Sequence, residues 1–175
     1  MDIRAQLLVT HSRANADLVL AFVLAKQARL PKLMDAFFSG EKDVMNRAAM
    51  VVGDLGRKKP DWLLPYHARL ITYADAYPHP AVPRNVLRYF SELPLGKVKE
   101  EDQGPLLDVA FRLTAGPEIP VGIRVFGMTI VAAFCVPYPE LRDELRGIIE
   151  LTIAEGTTPG FWSRGGKVLR WLEKG

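Results

Sequence analysis

Cysteine is nearly absent from this chain: Cys135 is the only one among 175 residues. A single thiol excludes an intrachain disulfide framework and a cysteine-based zinc site, and it suits a reducing compartment. Serine is scarce too, with Ser12, Ser39, Ser91 and Ser163 alone, and none stands in a G-x-S-x-G elbow. The three histidines, His11, His67 and His79, contain no i, i+4 pair, and no carboxylate cluster completes a ligand set. Neither a metal site nor another cofactor is expected. Long hydrophobic runs are missing as well. The most apolar segment, Val125 to Val136, falls well short of the roughly 20 residues that span a bilayer. Charged residues interrupt the short apolar stretch at the N-terminus, which therefore does not read as a signal peptide. These absences lead to the expectation of a cytoplasmic protein with no membrane contact. Charge of one sign does not dominate either: 23 Lys and Arg against 20 Asp and Glu leave +3. That balance is compatible with nucleic acid and diagnostic of nothing.

What is present is helical periodicity. Val44, Ala48, Val51, Val52 and Leu55 follow one helical face over residues 41–56, and Leu63, His67, Leu70, Ala74 and Tyr77 do so over 62–77. Val82, Val86, Tyr89, Phe90 and Leu93 form a third stripe, and Leu141, Leu145, Ile148, Ile149 and Thr152 another. Most of the thirteen prolines fall between these stripes, where a missing N–H costs little, and glycines stand with them. The first 40 residues read as an N-terminal cap of two or three helices, with Asn15 as N-cap of the segment through Gln27.

An internal repeat underlies the pattern. Arg47, Arg84, Arg124 and Arg164 are spaced 37, 40 and 40 residues apart, and Val44, Ala81, Val121 and Phe161 stand three before each. Each arginine opens an apolar helix, and another helix precedes it. A period near 40 with two helices per unit predicts an all-α superhelix, a HEAT- or armadillo-like solenoid of about four helix pairs forming one domain over residues 1–175. The segment 121–136 is apolar nearly all round, as a helix between two repeats should be, whereas 161–174 returns to the one-sided pattern of a terminal cap.

Several segments also carry a family likeness: His11-Ser12-Arg13-Ala14-Asn15, Leu33-Met34-Asp35, Phe37-Phe38-Ser39-Gly40-Glu41, Arg47-Ala48-Ala49 and Arg84-Asn85-Val86-Leu87-Arg88. Val125 to Ile130, Tyr138-Pro139-Glu140-Leu141 and Gly160-Phe161-Trp162-Ser163-Arg164-Gly165 extend it nearly end to end. On these the chain resembles a family of small bacterial HEAT-like repeat proteins found mainly among Bacteroidetes. The resemblance implies a fold and no particular biochemistry. Such chains are sometimes labelled adenylosuccinate lyase. That enzyme's Ser-Ser-x-Met-Pro-type loop has no counterpart here, since no methionine precedes a proline.

No catalytic constellation emerges, so no enzyme is expected and no catalytic residue is assigned. His67 lies on an apolar stripe and reads as a packing histidine, while His79 reads as an exposed turn residue between two prolines and His11 as a cap of the N-terminal helix. Ser12 beside His11 is adjacency without geometry. Cys135 lacks polar neighbours that would activate it. Residues 160–167 contain no G-K-[ST], so Gly165 and Gly166 read as permitting close helix packing rather than as a phosphate loop. The arginines are the open question. Arg47, Arg84, Arg124 and Arg164 are either a structural ladder between repeats or, with Arg88, Lys167 and Arg170, a basic stripe on a concave face. The stripe reading implies an interaction module for a protein or peptide. The alternative is a nucleic-acid or DNA-repair protein like the HEAT-like alkylpurine glycosylases, with Trp62, Trp162 and Trp171 as aromatics, although tryptophan in a helical pattern is usually core.

Overall fold

The computed structural model describes residues 1–174. The chain divides into two compact units, Met1–Glu92 and Leu93–Gly175. Among the described residues every regular element is a helix.

The first unit contains α1 (Ile3–Val9), α2 (Arg13–Leu24), α3 (Leu30–Phe37), α4 (Lys42–Lys58), α5 (His67–Ala76) and α6 (Ala81–Glu92). The first 40 residues, expected to hold two or three helices, contain three α-helices. The N-cap of α2 differs from the expectation. Ser12 Oγ accepts from the Asn15 amide at 3.2 Å, and helix α2 begins at Arg13. Asn15 is instead buried inside the first turn, donating to the Gln6 and Thr10 carbonyls and accepting from Gln6 Nε2 at 2.7 Å. A short polar side chain can serve either the helix end or a neighbouring loop, and here the loop wins.

Residues 62–77 do not form one helix either. Residues Pro60–Tyr66 make a 3-10 stretch, and α5 starts only at His67. Pro65 has no N–H for the α ladder and its ring collides with the preceding turn, so the α pattern cannot begin before it. The helix ends at Tyr77, which adopts φ 49°, a left-handed conformation usually left to glycine, just before Pro78.

Helices α3 and α4 pack as one pair, α5 and α6 as the next, and α4 also lies along α6. The α4–α6 approach is close because Gly56 lacks a side chain: a Cβ there would stand 2.5 Å from the Tyr89 ring. Tyr89 in turn donates its hydroxyl to the Pro60 carbonyl at 3.0 Å, which leaves His67 Nε2 to donate to the tyrosine oxygen, 2.8 Å away. Desolvation raises the tyrosine's pKa well above its ordinary value. His67 is accordingly a buried, bonded packing residue.

The second unit contains α7 (Glu100–Ala115), α8 (Val121–Phe134), α9 (Arg142–Ala154) and α10 (Pro159–Leu172). Helix α8 packs against α7, α9 and α10, which explains its nearly all-round apolar surface. At Gly127 it comes closest to α7, where a Cβ would lie 2.5 Å from Thr114 Oγ1 and 2.8 Å from the Ala110 carbonyl oxygen. Thr158 caps α10, its Oγ1 accepting from the Phe161 amide at 3.4 Å, and Pro159 takes the first helical position.

Candidate functional site

The four repeated arginines all fall in the first turns of the second helix of a pair, on α4, α6, α8 and α10. Their environments differ. Arg47 Nη1 donates to the Leu7 carbonyl at 2.9 Å and so ties α4 to α1. Arg124 is only 7% exposed. It donates through Nε to the Thr114 carbonyl at 2.8 Å and through Nη2 to Thr152 Oγ1 at 2.9 Å. Its guanidinium carbon also lies 4.5 Å from the Phe161 ring centroid. Arg164 Nη1 donates to Thr129 Oγ1 at 2.7 Å, joining α10 to α8. Arg84 is exposed, and its guanidinium has no hydrogen-bond or ion-pair partner among the described residues. Three of the four therefore act as clasps between helices, each on a neutral acceptor.

Arg88, one turn beyond Arg84, faces a carboxylate. Asp54 of α4 is buried, and its Oδ2 is 2.7 Å from Arg13 Nη1 while its Oδ1 is 3.8 Å from Arg88 Nη1. One carboxylate thus joins α2, α4 and α6. Arg88 also lies 3.8 Å from Glu92 on its own helix.

Lys167 and Arg170 are exposed on the outer face of α10, and they come together with a residue that periodicity assigns to the core. Trp162 is 57% exposed and Trp171 39%, so neither is core; their helix presents both edges to solvent. Two i, i+4 rows run side by side on that face. One is Trp162, Gly166 and Arg170, and the other is Pro159, Ser163 and Lys167. Together they line a depression of about 500 Å³. Gly166 is its floor. A Cβ there would meet only Arg170 Nη1, at 3.5 Å, so this glycine serves no helix packing. Gly165 does serve it, since its Cβ would stand 2.9 Å from Ile149 of α9. On the adjacent side of α10, Arg164, Lys167, Val168 and Trp171 line a second depression of about 250 Å³ with Ala132. Lys167 reaches both. Arg142 of α9 adds a further cation, its guanidinium carbon 5.6 Å from the Trp171 ring centroid and its buried Nε without an acceptor among the described residues.

Charge is sorted by helix within this unit. Helices α8 and α10 carry Arg124, Arg164, Lys167 and Arg170 and no acid, while α7 carries Glu100, Glu101, Asp102 and Asp108 against Arg112 alone. The surface of α10 is thus an indole beside two exposed cations, without a carboxylate on the same helix to neutralise them.

Among the described residues, reactive groups are not gathered in any comparable site. Cys135 is buried, and desolvation pushes its thiol up despite Arg142 nearby, which disfavours the thiolate. His79 Nδ1 accepts from the Ala81 amide at 3.2 Å at the start of α6, and Ser12 is occupied as a cap. Among the described residues no group of His, Cys, Asp and Glu could hold a metal ion, and no helix is long and apolar enough to cross a membrane.

A family model described as a HEAT repeat domain matches residues 3–170. No match was found among curated proteins or among solved structures.

Proposed function

Since the chain belongs to the HEAT repeat domain family, we propose that it is a non-enzymatic interaction module that holds a protein or peptide partner on the outer face of α10. HEAT repeats are commonly interaction scaffolds, built from helix pairs that present extended surfaces. The observation that carries the reading is the exposed Trp162 beside Lys167 and Arg170 across the dent at Gly166. An indole offers a large rigid contact area, and the two cations select an acidic neighbour. The partner that fits is a segment with an apolar side chain for the dent and Asp or Glu on either side. Arg124 and Arg164, within the same unit, hold α8 to α7, α9 and α10 and so fix the helix that presents this surface.

A displayed random-peptide library panned on the full chain tests the reading. Enriched sequences should place acidic residues around one aromatic or aliphatic anchor, and Trp162→Ala should lose them. Enrichment of basic or uncharged sequences, or retention by Trp162→Ala, would count against it.

A nucleic-acid reading draws on the same indole and cations, which could stack a base and hold phosphates. It is the weaker reading because residues 93–175 carry ten Lys and Arg against eleven Asp and Glu, so few phosphates could be neutralised at once. Retardation of a single-stranded oligonucleotide that collapses steeply with added salt would favour it.

A further inference from the structure

Arg124 lines a cavity of about 330 Å³ in the second unit, separate from the face of α10 described above. Its two hydrogen-bonded nitrogens, Nε and Nη2, fix the guanidinium between the Thr114 carbonyl and Thr152 Oγ1, and the Phe161 ring lies against it. All these partners are neutral. No carboxylate stands within ion-pair distance, and Nη1 has no acceptor among the described residues. The residue as a whole is 7% exposed, and with Nε and Nη2 bonded its Nη1 is the donor left free for an anion that enters the cavity. Desolvation lowers the guanidinium's pKa, opposed only by the more distant Glu118 and Glu155.

The rest of the cavity states what kind of anion would enter. Its wall is apolar, with Pro117, Ile148 and Leu151, and Leu151 is 59% exposed beside it. Glu155 also lines it and sets a negative field there. With Glu155 already offsetting part of its charge, one guanidinium favours a singly charged ligand over a doubly charged one. We infer that this cavity is a binding site for a small monocarboxylate with an aliphatic body, its carboxylate accepting from Arg124 Nη1 and its body lying against Ile148 and Leu151.

Titration of the isotopically labelled full chain with 4-methylpentanoate, followed by amide chemical shifts, tests the site. Saturable shifts at Thr152 and Gly156 are expected in the low-millimolar range typical of one ion pair with a few apolar contacts, roughly 1–10 mM. The neutral analogue 4-methylpentanol and inorganic phosphate should each bind about tenfold more weakly. Because Arg124 is built into the fold, the informative variants lie at the rim. Glu155→Gln, by removing a repelling charge, should tighten binding about threefold, and Leu151→Asp should weaken it about tenfold. Absence of saturable shifts with the carboxylate overturns the site. Equal binding of the alcohol or of phosphate, or affinities unmoved by both rim variants, overturns it too. None of these outcomes bears on the face of α10, whose test is read at Trp162.

Discussion

The two units hold their helices together with arginine in different ways. In the second, Arg124 and Arg164 occupy equivalent places in successive repeats, and both end on neutral oxygens, the Thr114 carbonyl and the hydroxyls of Thr152 and Thr129. In the first, Arg47 does the same with the Leu7 carbonyl, but Arg84 points into solvent. The bridge there has moved to Asp54, which binds Arg13 and faces Arg88. One periodic residue therefore has two fates. Where a carbonyl or hydroxyl of the neighbouring helix is within reach, the arginine is part of the fold. Where a buried carboxylate joins the helices instead, the periodic arginine is released.

That contrast can be broken by substitution, beginning with the closest helix contacts. Gly127→Ala should cost about 3 kcal/mol, because its Cβ meets a backbone carbonyl as well as Thr114 Oγ1. Gly56→Ala should cost less, about 2 kcal/mol, because the obstacle is the side chain of Tyr89, which can tilt. Urea unfolding followed by circular dichroism measures both, and equal values would show that backbone and side chain yield alike.

The arginines come next. Arg124→Met strips the buried Thr114 carbonyl and the half-buried Thr152 hydroxyl of their donor and should lower stability by about 2–3 kcal/mol. Arg84→Met should stay within about 0.5 kcal/mol of the parent, as exposed positions do. Comparable losses at the two sites would erase the distinction between the units.

Asp54→Asn keeps shape and removes charge, and should cost about 1 kcal/mol, since Arg13 is largely exposed and screened. Its penalty should shrink as salt rises, whereas that of Arg124→Met should not, and parallel denaturation series at low and high salt distinguish them. The smallest effect belongs to Gly166→Ala, which should raise stability by about 0.5–1 kcal/mol through helix propensity while filling the dent beside Trp162. A gain in stability with a loss of peptide capture is the expected pairing.

Much of the fold was legible because helix stripes and their Pro and Gly boundaries are local signals. The errors arose where two local signals competed. Asn15 and Ser12 both suit an N-cap, and only the placement of Gln6 and the Thr10 carbonyl decides between them. Pro65 sits inside an otherwise helical stripe and delays α5 to His67. Helix α7 carries the stripe Leu106, Val109, Ala110 and Leu113, but an acidic first turn and an internal Pro105 precede it and weaken the local helix signal. The candidate site was legible only in part. Lys167 and Arg170 follow from the charge pattern of α10, but Trp162 and Trp171 read as core because hydrophobicity alone cannot report whether another helix covers a face. Gly166 looked like its neighbour Gly165, and only the packing of Ile149 against one and not the other separates them.

Charge reversal on α10 tests the central claim most directly, namely that Arg47, Arg124 and Arg164 join helices of the fold while Trp162, Lys167 and Arg170 meet the partner. Fluorescence anisotropy of a library-selected acidic peptide would be measured on the parent chain and on the double variant Lys167→Glu, Arg170→Glu. The account predicts at least a tenfold weaker affinity, about 1.4 kcal/mol or more, with the urea midpoint unchanged. Unchanged affinity on the reversed surface would contradict it.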